Sequence, residues 1–213
     1  WRWDMGYKAS IYAILRMIVQ LLLIGYVLTY IFGTNSYSIV ITILIIMLLA
    51  ASWISLRTTS LPKKTLILNV IFSIVIGGVS VLIIMTQGVL FIDPWYSPNI
   101  MIPLGGMIFA NCMNGLSLAA ERLESELKQG KTYKEAKVVA LRTSLIPITN
   151  MLLAVGIVSL PGMMTGQILS GVSPMIAVRY QVMVMCMLFG STGISVAVFL
   201  QSVRVQFQQQ SKL

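Results

Sequence analysis

The sequence predicts an all-α, polytopic helical membrane protein, organised as a single transmembrane domain over residues 1–213. Three observations carry that prediction. Charged residues make up 10% of the chain against 57% hydrophobic, and mean hydropathy is +0.89, whereas a soluble domain carries about a quarter charged residues. Several apolar runs reach about 20 residues, the length of a helix that crosses a bilayer. Apart from Arg16 and Arg179, every Lys and Arg lies in a short segment between those runs, the pattern of basic loops held on one membrane face.

Six spanning helices follow from the runs. The first covers 10–32 and stops at Gly33-Thr34-Asn35-Ser36, a turn signal. The second is 37–56, followed by a short basic loop, 57–64, that contains Pro62. The third is 65–86. A loop over 87–102 holds Pro94, Trp95, Tyr96 and Pro98, with Asp93 as its one charge. The fourth runs from Pro103 to Leu123 and continues into a charged block. The fifth covers 144–160, and the Pro161-Gly162 break separates it from a short segment, 163–170. The sixth is 174–201, with a polar tail ending Gln208-Gln209-Gln210-Ser211-Lys212-Leu213.

Loop charge orients the bundle. Arg2 and Lys8, Arg57 with Lys63 and Lys64, the block from Arg122 to Arg142, and Arg204 with Lys212 all fall on one side. The alternate loops, 33–36 and 87–102, carry no Lys or Arg. Both termini are therefore expected in the cytoplasm and the protein in the inner (plasma) membrane. Trp95 and Tyr96 then lie at the outer interface, where amphipathic rings are favoured. Arg179 would snorkel or pair internally, and Arg16, four residues before Gln20, lies close enough to the cytoplasmic end to snorkel as well.

Composition also excludes functions. The net charge is +9, but no basic stripe with interleaved aromatics is present, so nucleic acid is not an expected partner. There is no His, which removes the commonest general base and metal ligand. Cys112 and Cys186 are too few for a disulfide framework or a zinc site. No cleavable signal peptide and no internal repeat are visible. Helix centres hold no Asp or Glu, which disfavours an ion-coupled secondary carrier or channel, the alternative reading. An intramembrane enzyme is disfavoured as well, since the chain has no His and no embedded carboxylate pair.

The charged block, 121–142, reads as helix, break, helix. Glu124 and Lys128 are four apart, in the order that supports a helix. Gly130 ends it, and Thr132 with Glu135 three later is a capping box that starts the next. Such a block is either a plain connector or a rigid element that docks on a partner. Gly130-Lys131-Thr132 imitates the end of a phosphate-binding loop, but position 125 is Ser and a helix precedes it. No cofactor is expected in this chain. Inside the membrane, Met107, Asn111, Asn114 and Glu121 share a face of the fourth helix, and Gly105, Gly106 and Ala110 allow close helix approach. Polar groups there bond helix to helix or line a path, and Asn150 in the fifth helix is a similar case. Met163-Met164, just past a helix break, are candidate soft-metal ligands, with ordinary packing as the alternative.

Three stretches carry a family resemblance: Arg16 to Phe32, Ile102 to Asn111, and Val158-Ser159-Leu160-Pro161-Gly162-Met163-Met164-Thr165-Gly166 continuing to Ala177-Val178-Arg179-Tyr180-Gln181. Together the chain resembles the Fet-type permeases, membrane subunits of a bacterial iron-export ABC transporter related to plant aluminium-tolerance permeases. The resemblance implies a permease that pairs with a second copy of itself and is worked by a separate cytosolic ATPase that holds the ATP-Mg. It implies metal export, iron first, and one further helix ahead of the Arg16–Gln20 segment. Contact with the ATPase is expected at Gly130, Lys131, Thr132, Tyr133, Lys134 and Glu135. The path is expected at Met107, Asn111, Asn114, Asn150, Met163 and Met164.

Overall fold

The computed structural model describes residues 7–33, 36–59 and 63–204. Six of its helices are long and apolar enough to cross a membrane. Arg2 and Lys212, the Thr34-Asn35 part of the first turn, Pro62 and the polar tail lie outside the described residues.

The chain enters as α1 (Tyr7–Phe32) and returns as α2 (Tyr37–Ser55). The third span is longer and less regular than expected. It begins as α3 (Lys63–Ile74), widens to a π-helical stretch over Val75–Val79, tightens for one turn as α4 (Ser80–Ile83), and widens again over Ile84–Val89. Gly77 lies in the first widened stretch. A Cβ there would lie 2.5 Å from the backbone nitrogen of Ser195, so the bare backbone lets the last helix press against this one.

The fourth span, α5 (Pro98–Lys128), starts five residues earlier than the sequence indicates. Pro98 occupies the first helical turn, where its missing N–H costs nothing. At 31 residues the helix is roughly 46 Å long, well beyond the ~30 Å apolar layer. Its charged last turns therefore project past that layer. Gln129 caps it and Gly130 follows with φ +83°. The Gly130 amide donates to Leu127 O at 3.0 Å and the Lys131 amide to Glu126 O at 3.3 Å, a Schellman closure that satisfies carbonyls of the last turn.

The expectation that the next span begins at Ser144 is corrected. α6 is continuous over Tyr133–Ala154. Lys134 and Arg142 sit on exposed helix surface while Ala136, Ala140 and Ser144 are buried, so charge here marks a helix face and not a loop. The far end is corrected too: α6 stops at Ala154, not Leu160, because Gly156 takes φ +83° and its amide returns to Ser159 O at 3.0 Å. Beyond Pro161 lies the short α7 (Gly162–Leu169), then α8 (Pro174–Ser202).

Helix α5 is the centre of the bundle, packed against α2, α6 and α8. Ile108, Cys112, Leu116, Ala119 and Leu123 form its buried stripe at helical spacing. Small residues on α5 allow close approach too: a Cβ on Gly105 would meet Leu44, and one on Gly115 would meet Thr192, each at 2.6 Å. The helix-approach role expected for Gly105 and Gly106 is thus met, by α2. Helix α1 is different. Its described side chains are exposed almost throughout, with Ile31 buried. Apolar surface of that kind is at home against lipid tails.

Candidate functional site

Two regions at opposite ends of the bundle can carry function. The first is the tip joining α5 and α6. Glu126 is fully buried, with Arg122 Nη2 at 2.5 Å from its Oε1 and the Lys131 ammonium on its Oε2. One carboxylate thus ties the last turn of α5 to the residue just after the break. On the other side, Thr132 and Glu135 complete the capping box, the Glu135 carboxylate accepting from the Thr132 amide at 3.0 Å and from its hydroxyl at 2.7 Å. Glu124 and Lys128 pair at 2.7 Å as their spacing indicates.

The tip is also fastened to its neighbours. Tyr133 donates its hydroxyl to the Leu200 carbonyl at 2.5 Å, and Lys137 donates to Gln201 Oε1 at 3.1 Å. From the α2–α3 loop, Thr59 donates to Glu124 Oε2 at 2.9 Å and Thr58 to the Ser117 carbonyl at 3.1 Å. All six residues expected at a partner contact therefore fall in one turn, in unequal roles. Lys131, Thr132, Tyr133 and Glu135 spend their polar groups inside the chain, while Gly130 and Lys134 face outward. The break is the tip of a hairpin between two long helices, so a partner would meet helix ends, not a free-standing segment. Glu126 was not singled out from sequence, although Arg122 four before and Lys131 five after were its signal.

The second region is a cavity of about 670 Å³ at the end away from the basic loops. The loop after the third span closes one side. Its Ile92 amide returns to Thr86 O at 3.0 Å, and Tyr96 packs edge-on against Tyr37, ring centres 6.3 Å apart. This brings Asp93 and Ser97 to the cavity wall. Helix α5 contributes Pro103 and Met107, α7 contributes Met163 and Gln167, and α8 contributes Tyr180 and Met183. The lining thus mixes one carboxylate, hydroxyls and amides with three thioethers. The Gln167 Oε1 is buried without a hydrogen-bond partner. Buried acceptors are nearly always satisfied, and this one belongs to a residue of the cavity wall. Such a wall offers both oxygen and sulfur donors. Oxygen donors suit harder cations and thioethers softer ones. Among the described residues, no group of three or more His, Cys, Asp or Glu is placed to hold a metal.

Of the expected path residues, Met107 and Met163 meet in this cavity. Met164 does not: it faces a second cavity on the other side of α7. Adjacent residues on a helix point about 100° apart, so the pair splits. Asn111 donates its side-chain amide to the Met107 carbonyl of its own helix at 2.9 Å. Asn114 and Asn150 are exposed. None of the three Asn lines either cavity. Sequence reasoning missed Gln167, Tyr180 and Met183. Gln167 falls four residues after Met163 on one short helix, and that spacing was the available signal.

The family described as "Uncharacterised protein family (UPF0014)" matches residues 4–207. The chain belongs to the UPF0014 family. A relative from Synechocystis, "UPF0014 membrane protein slr1647", is 35% identical over 216 residues, 93% of this chain and 83% of its own length. "Probable iron export permease protein FetB" from Escherichia coli is 30% identical over 203 residues, 88% and 77% of the two chains. "Protein ALUMINUM SENSITIVE 3" from Arabidopsis thaliana is 30% identical over 201 residues, 87% and 72%. No solved structure matches. The resemblance read from Arg16–Phe32, Ile102–Asn111 and Val158–Gln181 is thereby shown, and this UPF0014 chain is a polytopic membrane protein of a permease family.

Proposed function

We propose that this chain is the membrane-spanning permease subunit of an ABC transporter that exports iron or a related metal species across the plasma membrane. A separate cytosolic ATPase, binding ATP-Mg, would dock on the 121–142 element. Two permeases and two ATPases would complete the assembly, with both termini in the cytoplasm. The observation that carries the reading is the hairpin tip. It is stiffened by Glu126 and the capping box, fastened to α8 through Tyr133, and continuous through α5 with Met107 in the far cavity. An element so tied transmits displacement, whereas a flexible connector would absorb it. Metal as substrate is supported by the oxygen-and-thioether lining of that cavity and by the E. coli relative's description as a probable iron export permease.

The test is ATPase activity in proteoliposomes that hold this chain and its partner ATPase, with and without Fe(II). Assembly with Fe(II)-stimulated hydrolysis supports the whole reading. Assembly without stimulation leaves a permease for another solute. Transport by the chain without any ATPase would replace the reading with that of a secondary carrier.

A further inference from the structure

A cavity of about 410 Å³ lies at the basic end of the bundle, where the first turns of α6 meet the end of α8. Thr132, Tyr133, Lys134 and Lys137 form one side, Gln201 and Arg204 the other. Tyr133 and Lys134 fall four and three residues before Lys137, so the three share a face of α6. Two bonds across the gap show that the walls face each other: Lys137 Nζ donates to Gln201 Oε1 at 3.1 Å and the Tyr133 hydroxyl to the Leu200 carbonyl at 2.5 Å. The wall carries three cations and no carboxylate. Among the described residues, none of Lys134, Lys137 and Arg204 forms an ion pair. Glu135, the acid nearest in sequence, is held by the Thr132 amide and hydroxyl instead. Three like charges around one hollow repel each other, and the positive end of the α6 dipole adds to them. An anion placed there relieves both.

Depth says which anion. Helix α2 has 19 residues, roughly 28 Å, which matches the ~30 Å apolar layer, so Arg57 just after it marks the basic edge of that layer. Thr58 donates to the Ser117 carbonyl, which sets Ser117 of α5 at the same level. A Cβ on Gly115 would meet Thr192 and Val196 of α8, and α5 and α8, as alternate spans, run in the same direction. Gln201 and Arg204 therefore lie roughly 8 to 12 Å past the edge. The headgroup layer is about 5–8 Å deep, and Lys and Arg stems reach back into it. The Gly130 tip lies roughly 20 Å past the edge by the same measure, beyond the headgroups, where a protein partner would meet it. We propose that this cavity binds the phosphate of an anionic phospholipid from the leaflet on the basic face, held by Lys134, Lys137 and Arg204. Basic hollows between membrane helices suit such headgroups. Val138 and Ile194, 44% and 43% exposed on the same two helices, offer apolar surface to the acyl chains. A zwitterionic headgroup brings its own cation to the same place and gains less. The choice of leaflet rests on the cytoplasmic orientation proposed above, while lipid selectivity is a property of this chain alone and needs no ATPase.

The test is native mass spectrometry of the full chain in detergent, titrated with dioleoyl phosphatidylglycerol and with dioleoyl phosphatidylcholine. The wild type is expected to hold one phosphatidylglycerol per chain in preference to phosphatidylcholine. Lys134→Gln should weaken phosphatidylglycerol binding by about 5-fold, and the triple variant Lys134→Gln, Lys137→Gln, Arg204→Gln by about 100-fold, with phosphatidylcholine unaffected. Lys134 is exposed, so the single variant decides the matter if the triple variant does not fold. Lys64→Gln removes an exposed cation outside the cavity and should bind like wild type. Equal affinity of the wild type for the two lipids overturns the proposal. So does a loss in Lys64→Gln as large as in Lys134→Gln, because attraction is then spread over the whole basic face. Displacement of the lipid by millimolar inorganic phosphate would make this a site for free anions and overturn it too. Full lipid selectivity in Lys134→Gln and the triple variant, with ATPase assembly lost, would make the cavity a protein contact and leave the proposed function standing.

Discussion

Gly130 gives the sharpest test of the hairpin tip. It takes φ +83°, and a Cβ built on it meets nothing within 4 Å. Substitution there is sterically free but conformationally strained, so the backbone cost is isolated from packing. A left-handed residue with a side chain costs about 1–2 kcal/mol, least for Asn, and most for a β-branched residue. That cost falls on the closure in which the Gly130 and Lys131 amides reach Leu127 and Glu126. One or two kcal/mol corresponds to a roughly 5- to 30-fold shift in population. In hydrogen exchange on the chain in detergent, the Lys131 amide should therefore speed up by that factor in Gly130→Val. Gly130→Ala should fall between it and Gly130→Asn, which should stay near wild type. The thermal midpoint should hardly move, since the tip opens locally. Equal exchange in the Asn and Val variants would show that the left-handed closure does not hold the tip, and the case for a stiff docking element would go with it.

Thr132→Ala should cost about 1 kcal/mol by removing the cap of α6, and Thr132→Ser should recover most of it; exchange at the Glu135 amide, which the Thr132 hydroxyl accepts at 3.4 Å, reads the difference. Tyr133→Phe removes the donor to Leu200 and should lower stability by about 0.5–1.5 kcal/mol, with a larger loss of ATPase stimulation than of assembly; unchanged coupling would make that bond structural only. Gly77→Ala puts a Cβ 2.8 Å from Ser195 Cα and should destabilise by about 1–3 kcal/mol. Gly190→Ala, with nothing within 4 Å of its Cβ, should instead stabilise by about 0.5–1 kcal/mol. Matching thermal midpoints for these two would deny the close contact of the third span with α8.

Much of this was readable in the residues, and the failures have physical causes. Gly130 and the Thr132–Glu135 pair announce one stop and one start with chemistry that has few other uses, and both stand in the structure. The start of α6 was misplaced because Lys134, Lys137 and Arg142 look like a loop in a greasy chain, yet charge on one face costs a helix little. Its end was misplaced because residues 155–160 are nearly all apolar, and only Gly156 marks the turn. Apolarity signals burial in lipid; it does not report backbone direction. The site was harder still. Met163 and Met164 were joined because they are neighbours in sequence, whereas helix geometry sends them to different cavities. Asn111 satisfies itself on its own helix, an option that a count of polar residues does not reveal.

The packing at Gly115 also bears on movement. A Cβ there would meet Thr192 of α8 at 2.6 Å, and close contacts resist translation better than rotation. Taken as a fulcrum, it divides the helix unequally. Lys128 lies roughly 20 Å to one side and Met107 roughly 12 Å to the other, at 1.5 Å per residue. A push that swings the charged end by about 2 Å would then carry Met107 about 1.2 Å the opposite way. The arm is geared down: large travel where force would be applied, small and stronger displacement at the cavity wall. A shift of that size is enough to change whether a thioether reaches an ion.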